Sequence, residues 1–205
     1  MLDKPEDKYI KILTQSYCKL TDIEGLEDAR DRSIELDLGC GKGSFTTRLA
    51  KLFPNKTILA ADVMIGRLRK LTKRNLREDV DNIIPLRVEA RHLLASIIGD
   101  EMLERVHLLC PDPWPKERHR GNRLMCSDFL MQINRVLKKD GIFHFSSDDE
   151  PYFEAVCRIM DKTPLFTRND DKLADIAGIK SDFEIRWNEQ GKKVHHVAWV
   201  KNKAF

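Results

Sequence analysis

The stretch "LDLGCGKGSF", residues 36–45, decides the fold. It closes the apolar strand "SIELDL" (33–38) and turns on Gly39, Gly41 and Gly43 into "SFTTRLAKLF" (44–53), whose Phe45, Leu49 and Leu52 share one helical face. The same rhythm runs outward from it. "TILAAD" (57–62) predicts a second strand, and "IGRLRKLTKRNLRE" (65–78) a helix with Leu68, Leu71 and Leu76 inward. "NIIPLRV" (82–88) predicts a third strand, with Pro85 against a central position. "ARHLLASII" (90–98) is helical and "RVHLLC" (105–110) is a fourth strand. "LMCSDFLMQINRVLK" (124–138) predicts a long helix with Gly141 just past its end. "GIFHFSS" (141–147) is a fifth strand, followed by the helix "PYFEAVCRIM" (151–160), which has Pro151 at its start. Strand alternating with helix means a parallel sheet covered on both faces. At the end "SDFEIRW" (181–187) and "KVHHVAWV" (193–200) flank "NEQGK" and predict an antiparallel hairpin around Gly191.

Composition sets outer limits. A chain of 205 residues holds one large domain with its own core. Hydrophobic residues at 41% and charged residues at 34% fit a soluble globular protein rather than a disordered one. No apolar run reaches the roughly 18 residues of a membrane span, and "MLDKPEDKYIKIL" has no signal-peptide core, so a cytoplasmic location is expected. The five cysteines form no CxxC pair, which argues against a zinc site or a disulfide framework.

Chemistry gathers at the strand ends. The glycine spacing is GxGxG, and Asp37 sits two residues before the first glycine. A carboxylate there would repel a pyrophosphate, yet it can hold the ammonium of a methionyl group. The loop therefore favours S-adenosyl-L-methionine over a dinucleotide. Asp62 ends the second strand, where an acid commonly accepts bonds from ribose hydroxyls. Glu89 and Ala90 end the third, where an acid can receive an adenine amino group. Each acid alone could be a helix cap; three at successive strand ends point to a ligand. The fourth strand runs into "PDPWPKERH" (111–119). Pro111 and Pro113 fix φ on either side of Asp112, and Trp114 offers either a stacking face or cover for the core. Lys116, Arg118, His119, Arg120 and Arg123 form a basic patch suited to phosphate. Arg67, Arg69, Lys70, Lys73, Arg74 and Arg77 make a second basic surface, equally well read as a solvated helix face.

The layout of five parallel units and a terminal hairpin resembles the class I methyltransferase fold. "PDPWPKERH", with "LDLGCGKG", Asp62, Glu89-Ala90, "FSSDDEPYFE" and "SDFEIRWNEQGKKVHH" in order, resembles the bacterial tRNA (guanine-N7-)-methyltransferase family from about residue 33 to the C-terminus. The resemblance implies an α/β, Rossmann-like fold with a seven-stranded mostly parallel sheet and a C-terminal antiparallel hairpin. It implies methylation of N7 of a guanine in the variable loop of tRNA, with S-adenosyl-L-methionine as donor. Asp37, Gly39, Gly41, Gly43, Asp62, Glu89, Ala90 and Asp112 are then expected around the donor, and Asp112 is the expected catalytic residue. Lys116, His119, Asp148, Ser181 and Glu184 are expected on the guanine or its flanking RNA.

This chain departs from the family pattern at Gly121 and Asn122, where further cations are usual, at Ser181 for threonine and at Glu89 for aspartate. Residues 1–32 are expected as an N-terminal extension packed on or near the cofactor site, and residues 33–205 as the methyltransferase domain. The expected partner is tRNA, with no membrane and no metal, and the chain is expected as a monomer or homodimer. Two alternatives stand beside this reading: a methyltransferase of the same fold acting on another RNA or a small molecule, and a non-catalytic protein that binds RNA or cofactor.

Overall fold

The computed structural model describes residues 4–13, 18–113 and 123–202. Strand β2 (Ile34–Leu38) is buried at every position, as the apolar run around Asp37 requires. Gly39, Gly41 and Gly43 then all take positive φ, at 82°, 58° and 74°, and α1 (Ser44–Leu52) follows. Only glycine adopts such a succession of left-handed angles without strain. Strands β3 (Thr57–Asp62), β4 (Ile83–Arg87) and β5 (Leu103–Leu109) alternate with α2 (Ile65–Arg77) and α3 (Ala90–His92), which continues into a π-helical turn over Leu93–Ile97. Helix α4 (Ser127–Val136), β6 (Leu137–Ser147), α5 (Glu150–Met160), β7 (Phe166–Arg168), a 3-10 segment (Asp170–Ile176), α6 (Asp182–Glu189) and β8 (His195–Lys201) complete the chain.

Among the described residues the sheet has eight strands rather than the seven expected, in the order β1-β4-β3-β2-β5-β6-β8-β7. Two strands were not expected, β7 and β1, and one expected strand (181–187) is a helix; β1 (Lys11–Ile12) pairs in parallel with β4 at the edge. It was not legible because two residues carry no period. Pro85 does sit inside a strand, paired at Ala60. Leu52 and Leu76, expected inward, are 47% and 56% exposed; Thr72 and Asn75 fill the buried face of α2 instead.

Two further expectations fail for clear reasons. The long helix over 124–138 is trimmed at both ends, because Leu137 leaves it to pair with Leu103. Gly141 is therefore not a helix terminus. It lies at the irregularity between β5 and β6, where a Cβ would meet the Lys138 carbonyl oxygen at 2.8 Å. The predicted hairpin is absent: "SDFEIRW" is α6, and β8 pairs antiparallel with β6 and β7. The alternation Phe183, Ile185, Trp187 mimics a strand. Ser181, however, accepts the Glu184 N–H at 3.0 Å as an N-cap, and Phe183 and Trp187 stack one turn apart with ring centroids 4.5 Å from each other.

The sheet's two faces differ. Ile34, Leu36, Leu38, Val106, Phe143, Phe145 and Trp199 join one apolar core that also takes Leu20, Ile23 and Leu26 from the N-terminal segment. The alternate positions on the same strands carry Glu35, Asp37, Arg105, His107 and His144, all buried. Phe45 of α1 covers this polar face, its ring 5.0 Å from that of His107.

The glycine loop gives a stability test. A Cβ at Gly43 would lie 2.1 Å from Leu71 Cδ1, on top of an unfavourable φ, whereas one at Gly66 in α2 meets nothing within 4 Å. Gly43→Ala should cost about 2–4 kcal/mol in urea unfolding, while Gly66→Ala should gain about 0.5–1 kcal/mol. Equal behaviour of the two variants would contradict this packing.

Candidate active site

The carboxyl ends of β2, β3, β4 and β5 open on one side of the sheet, where ligands of open α/β sheets collect. A cavity of about 310 Å³ there is lined by Gly39, Asp62, Glu89, Ala90 and Asp112 among others. A second, of about 380 Å³, is lined by Asp37, Gly41, Ser146, Ser181, Glu184 and His196 among others. Gly39, Arg67, Leu109 and Cys110 line both. The structure thus brings the four expected strand-end acids to one edge, with Asp37 on the far side of the glycine loop from Glu89 and Asp112.

Each acid has its own local state. Asp37 is 2% exposed and accepts a 2.5 Å bond from the Thr46 hydroxyl. Burial, with the charge of Asp62 adding to it, pushes its carboxyl up to about 6 despite that bond. Asp62 accepts the Gly41 N–H at 3.1 Å and the Met64 N–H at 2.7 Å, and Arg67 stands 3.4 Å away. It therefore clamps the glycine loop to the start of α2. Glu89 caps α3 by accepting the His92 N–H at 2.9 Å, with its side chain exposed. Asp112 is exposed beyond Cys110, whose φ of 46° is left-handed. A residue with a side chain holds that angle at a cost of about 1 kcal/mol or more. The sharp turn out of β5 is thus made at Cys110, just ahead of the prolines. Burial raises the Cys110 thiol to about 11, so it is not a thiolate nucleophile.

On the other side of the site, Asp148 follows β6 and accepts the Trp187 indole N–H at 2.7 Å. Ser181 and Glu184 lie at the start of α6. That helix is held over the glycine loop by Asp182, whose N–H donates to the Ser44 hydroxyl at 2.8 Å and whose carboxylate pairs with Arg48 and Arg74 at 3.1 and 2.8 Å. Those two cations outweigh burial and keep Asp182 ionised below the usual range. Lys116 and His119, with Trp114, Arg118, Arg120, Gly121 and Asn122, lie outside the described residues. Arg123 donates to the Pro113 carbonyl at 2.8 Å and covers the Tyr152 ring at 5.1 Å, so its contacts here are internal.

The basic face of α2 is similarly engaged: Arg69 meets Asp7 at 2.7 Å, Lys73 meets Glu6 at 3.3 Å, and Arg74 meets Asp182. Arg67, Ser146, Thr46 and His196 belong to the site and were not expected there. Their strands and helices were legible, but not which neighbours the register would give them. Among the described residues no group of three or more His, Cys, Asp or Glu is placed to hold a metal ion, and no helix is long and apolar enough to cross a membrane.

These residues suit a cationic, adenosine-bearing donor. Nothing stands within 4 Å of where a Cβ of Gly39 would be, so backbone is open to close approach. Asp37 is a buried carboxylate with a hydroxyl partner, and a ligand cation would stabilise its ionised form.

The family model described as "Putative methyltransferase" matches residues 31–197. A tRNA (guanine-N(7)-)-methyltransferase of Syntrophotalea carbinolica is 34% identical over 170 residues, which cover 82% of this chain and 73% of that protein. One from Thermotoga maritima is 30% identical over 174 residues, or 85% of this chain, and the chain spans only 56% of that relative's length. Among solved structures, the 16S rRNA (adenine(1408)-N(1))-methyltransferase of Catenulisporales acidiphilia superposes with a TM-score of 0.61 at 17% identity, covering 100% of this chain and 97% of its own. The 16S rRNA methyltransferase KamB gives 0.61 at 14% identity over 87% and 93%. At such identities the likeness is one of fold.

The state of Asp37 sets a pH test. Its folded value of about 6 lies above the ordinary 3.8, so between those values the native state binds a proton that the unfolded chain releases. Stability therefore falls as pH rises through that window and stays lowered above it. Asp37→Asn removes this term. Relative to the variant, the wild type should be weaker at pH ~7 than below pH ~4 by about 3 kcal/mol, an order-of-magnitude figure. Urea unfolding at both pH values reads the difference, and a pH-independent gap would refute the assignment.

Proposed function

The chain belongs to the tRNA (guanine-N(7)-)-methyltransferase family, and we propose that it transfers the methyl of S-adenosyl-L-methionine to N7 of a guanine in tRNA. The observation that carries this reading is the meeting of Asp37, Asp62, Glu89 and Asp112 around an open glycine loop at one sheet edge. We assign Asp37 to the donor's ammonium, Asp62 to its ribose and Glu89 with Ala90 to its adenine. Gly39, Gly41 and Gly43 provide the close backbone approach. Bound there, the donor supplies an electrophilic methyl group on a positively charged sulfur.

The protein's own work is then positioning. Guanine N7 has a free lone pair and no proton, so attack needs no strong base. Asp112, on the turn made by Cys110, is assigned to the reacting centre, where a carboxylate stabilises positive charge arriving on the purine. Asp148, Ser181 and Glu184 are assigned to the guanine. In support, Asp148 is bonded to Trp187 of the same helix that carries Glu184, so one hydrogen bond ties the two sides of this part of the site together. Lys116 and His119 are assigned to the RNA beside it.

The division into an extension, 1–32, and a methyltransferase domain, 33–205, belongs to the same proposal. The boundary is supported by the family match over residues 31–197, while β1 on the sheet edge, Leu20, Ile23 and Leu26 in the core and the Asp7–Arg69 pair pack the extension onto the domain.

Labelled donor with unmodified tRNA tests the reading. Label should appear as N7-methylguanine. Label solely on other RNAs or on small molecules would favour the alternative of a different substrate, and donor binding without turnover would favour a non-catalytic protein. Asp112→Asn should lower kcat at least ~10-fold with little change in donor affinity. An unchanged kcat would remove Asp112 from the reaction.

A further inference from the structure

The polar face of the sheet ends in an unbroken line of side chains that runs from the far side of the sheet to the second cavity. Glu35 Oε2 lies 2.9 Å from His107 Nε2, and His107 Nδ1 lies 3.0 Å from His144 Nδ1. His144 Nε2 lies 3.0 Å from His196 Nδ1, and His196 Nε2 lies 3.4 Å from Glu184 Oε1. The register explains the line: His107 stands opposite His144, and Ser146, two residues on, stands opposite His196.

The line has four gaps: three at hydrogen-bond distance, each of which needs one hydrogen between its two acceptor-capable atoms, and a fourth at ion-pair distance, where His196 and Glu184 face each other. Ionised carboxylates bring none, and three neutral imidazoles bring one N–H each. One gap would then hold two facing lone pairs. We propose that this chain carries one proton beyond its three neutral imidazoles, held on His196, and that His196 so charged is the positioning residue for Glu184. The role in catalysis rests on the assignment of Glu184 to the guanine.

The surroundings choose the place of that proton. Glu35 is fully buried and already meets Lys56 at 2.7 Å. Burial pushes it up, but the bond and charge of His107, then Arg105 and Lys56, hold its carboxyl down at about 2. Lys56 already gives this end of the line a cation, which the Glu184 end lacks among the described residues. Burial first, then its neighbours His107, His196 and Arg105, hold His144 well below the usual histidine value, so His144 stays neutral. Glu184, by contrast, has His196 as its ion-pair partner among the described residues. The other charged groups around His196 are Asp170 and Asp171 across a neighbouring cavity, and Asp37, Lys42, Arg67, Asp182 and Arg186 on the side of the glycine loop. Asp182 is paired with Arg48 and Arg74, Asp170 with Arg168, and Arg105 on the same sheet face with Asp175. Glu184 is the acid in contact with His196, and that contact favours a proton there.

Imidazole nitrogen NMR on histidine-labelled full-length protein reads this directly. At pH ~7 His107 should be the Nε2–H tautomer, His144 the Nδ1–H tautomer, and His196 an imidazolium. Glu184→Gln can offer its own amide N–H to His196 Nε2 and so fill the fourth gap. In that variant His196 should become a neutral Nδ1–H tautomer, with the other two unchanged. A neutral His196 in the wild type, or an imidazolium that survives Glu184→Gln, would overturn the proposal.

Kinetics give a separate reading. Raising the pH until the imidazolium signal is lost should raise the wild-type KM for tRNA ~3–10-fold, with kcat changing less, and the KM of Glu184→Gln should not follow that titration. An NMR result as expected, in a protein that does not methylate tRNA, would uphold the proton and refute the assignment of Glu184 instead.

Discussion

Polar side chains buried on one face of a sheet must find partners without water, and much of this molecule is arranged by that need. An unpaired polar group in such a place costs about 1–3 kcal/mol, and a charge costs more. Strand β2 alternates Ile34, Leu36 and Leu38 on its apolar side with Glu35 and Asp37 on the other. Glu35 reaches Lys56 and His107; Asp37 reaches Thr46. Parallel pairing sets Glu35 beside Arg105 and Asp37 beside His107, and Glu35 meets His107 diagonally across that pair. A slip of one residue would turn both acids into the hydrocarbon core. The register of the central strands is therefore held by charge as well as by apolar packing.

Helix α6 extends the same logic outward. None of its residues is buried, so apolar packing holds it only weakly. What fixes it is Asp182, gripped by Ser44, Arg48 and Arg74, together with Trp187 on Asp148. Those contacts link the helix to α1, to α2 and to the end of β6. The glycine loop and the start of α6 are consequently set against each other by partly exposed ion pairs, which weaken with salt. The second cavity owes its wall to them.

How much of this could be read beforehand follows from the range of each signal. Local signals carried: the glycine spacing, the apolar runs of β2 and β3, and each strand-end acid can be read from its own few neighbours in sequence, and the structure sets them at one edge. Signals that depend on register or on competing local bonds did not. "DFEIRW" alternates like a strand, yet the Ser181 cap and the lack of a sheet to receive it make a helix. His107, His144 and His196 each stand in a strand at an inward position, and each alone reads as an isolated buried histidine. Only the pairing of β5, β6 and β8 turns them into a line. The basic residues of α2 looked free because Asp7 and Asp182 are remote in sequence.

The proposed chemistry suits this distribution of charge. Methyl transfer from a sulfonium to a neutral purine moves a positive charge from sulfur to the base while creating none. A site for it needs carboxylates whose ionisation is maintained on both sides of the transfer, with little reorganisation between them. Asp62 is held in place by two backbone N–H groups and Arg67. Asp37 is different, since its carboxyl is costly to ionise until a cation is beside it. In the proposed reading the donor would supply that cation, so binding it would convert a destabilised buried acid into a stabilised pair. Part of the affinity for the donor would then come from relieving a burden that the empty fold carries. The demethylated product keeps the same ammonium, so Asp37 would hold donor and product alike and leave discrimination between them to the groups that face the sulfur.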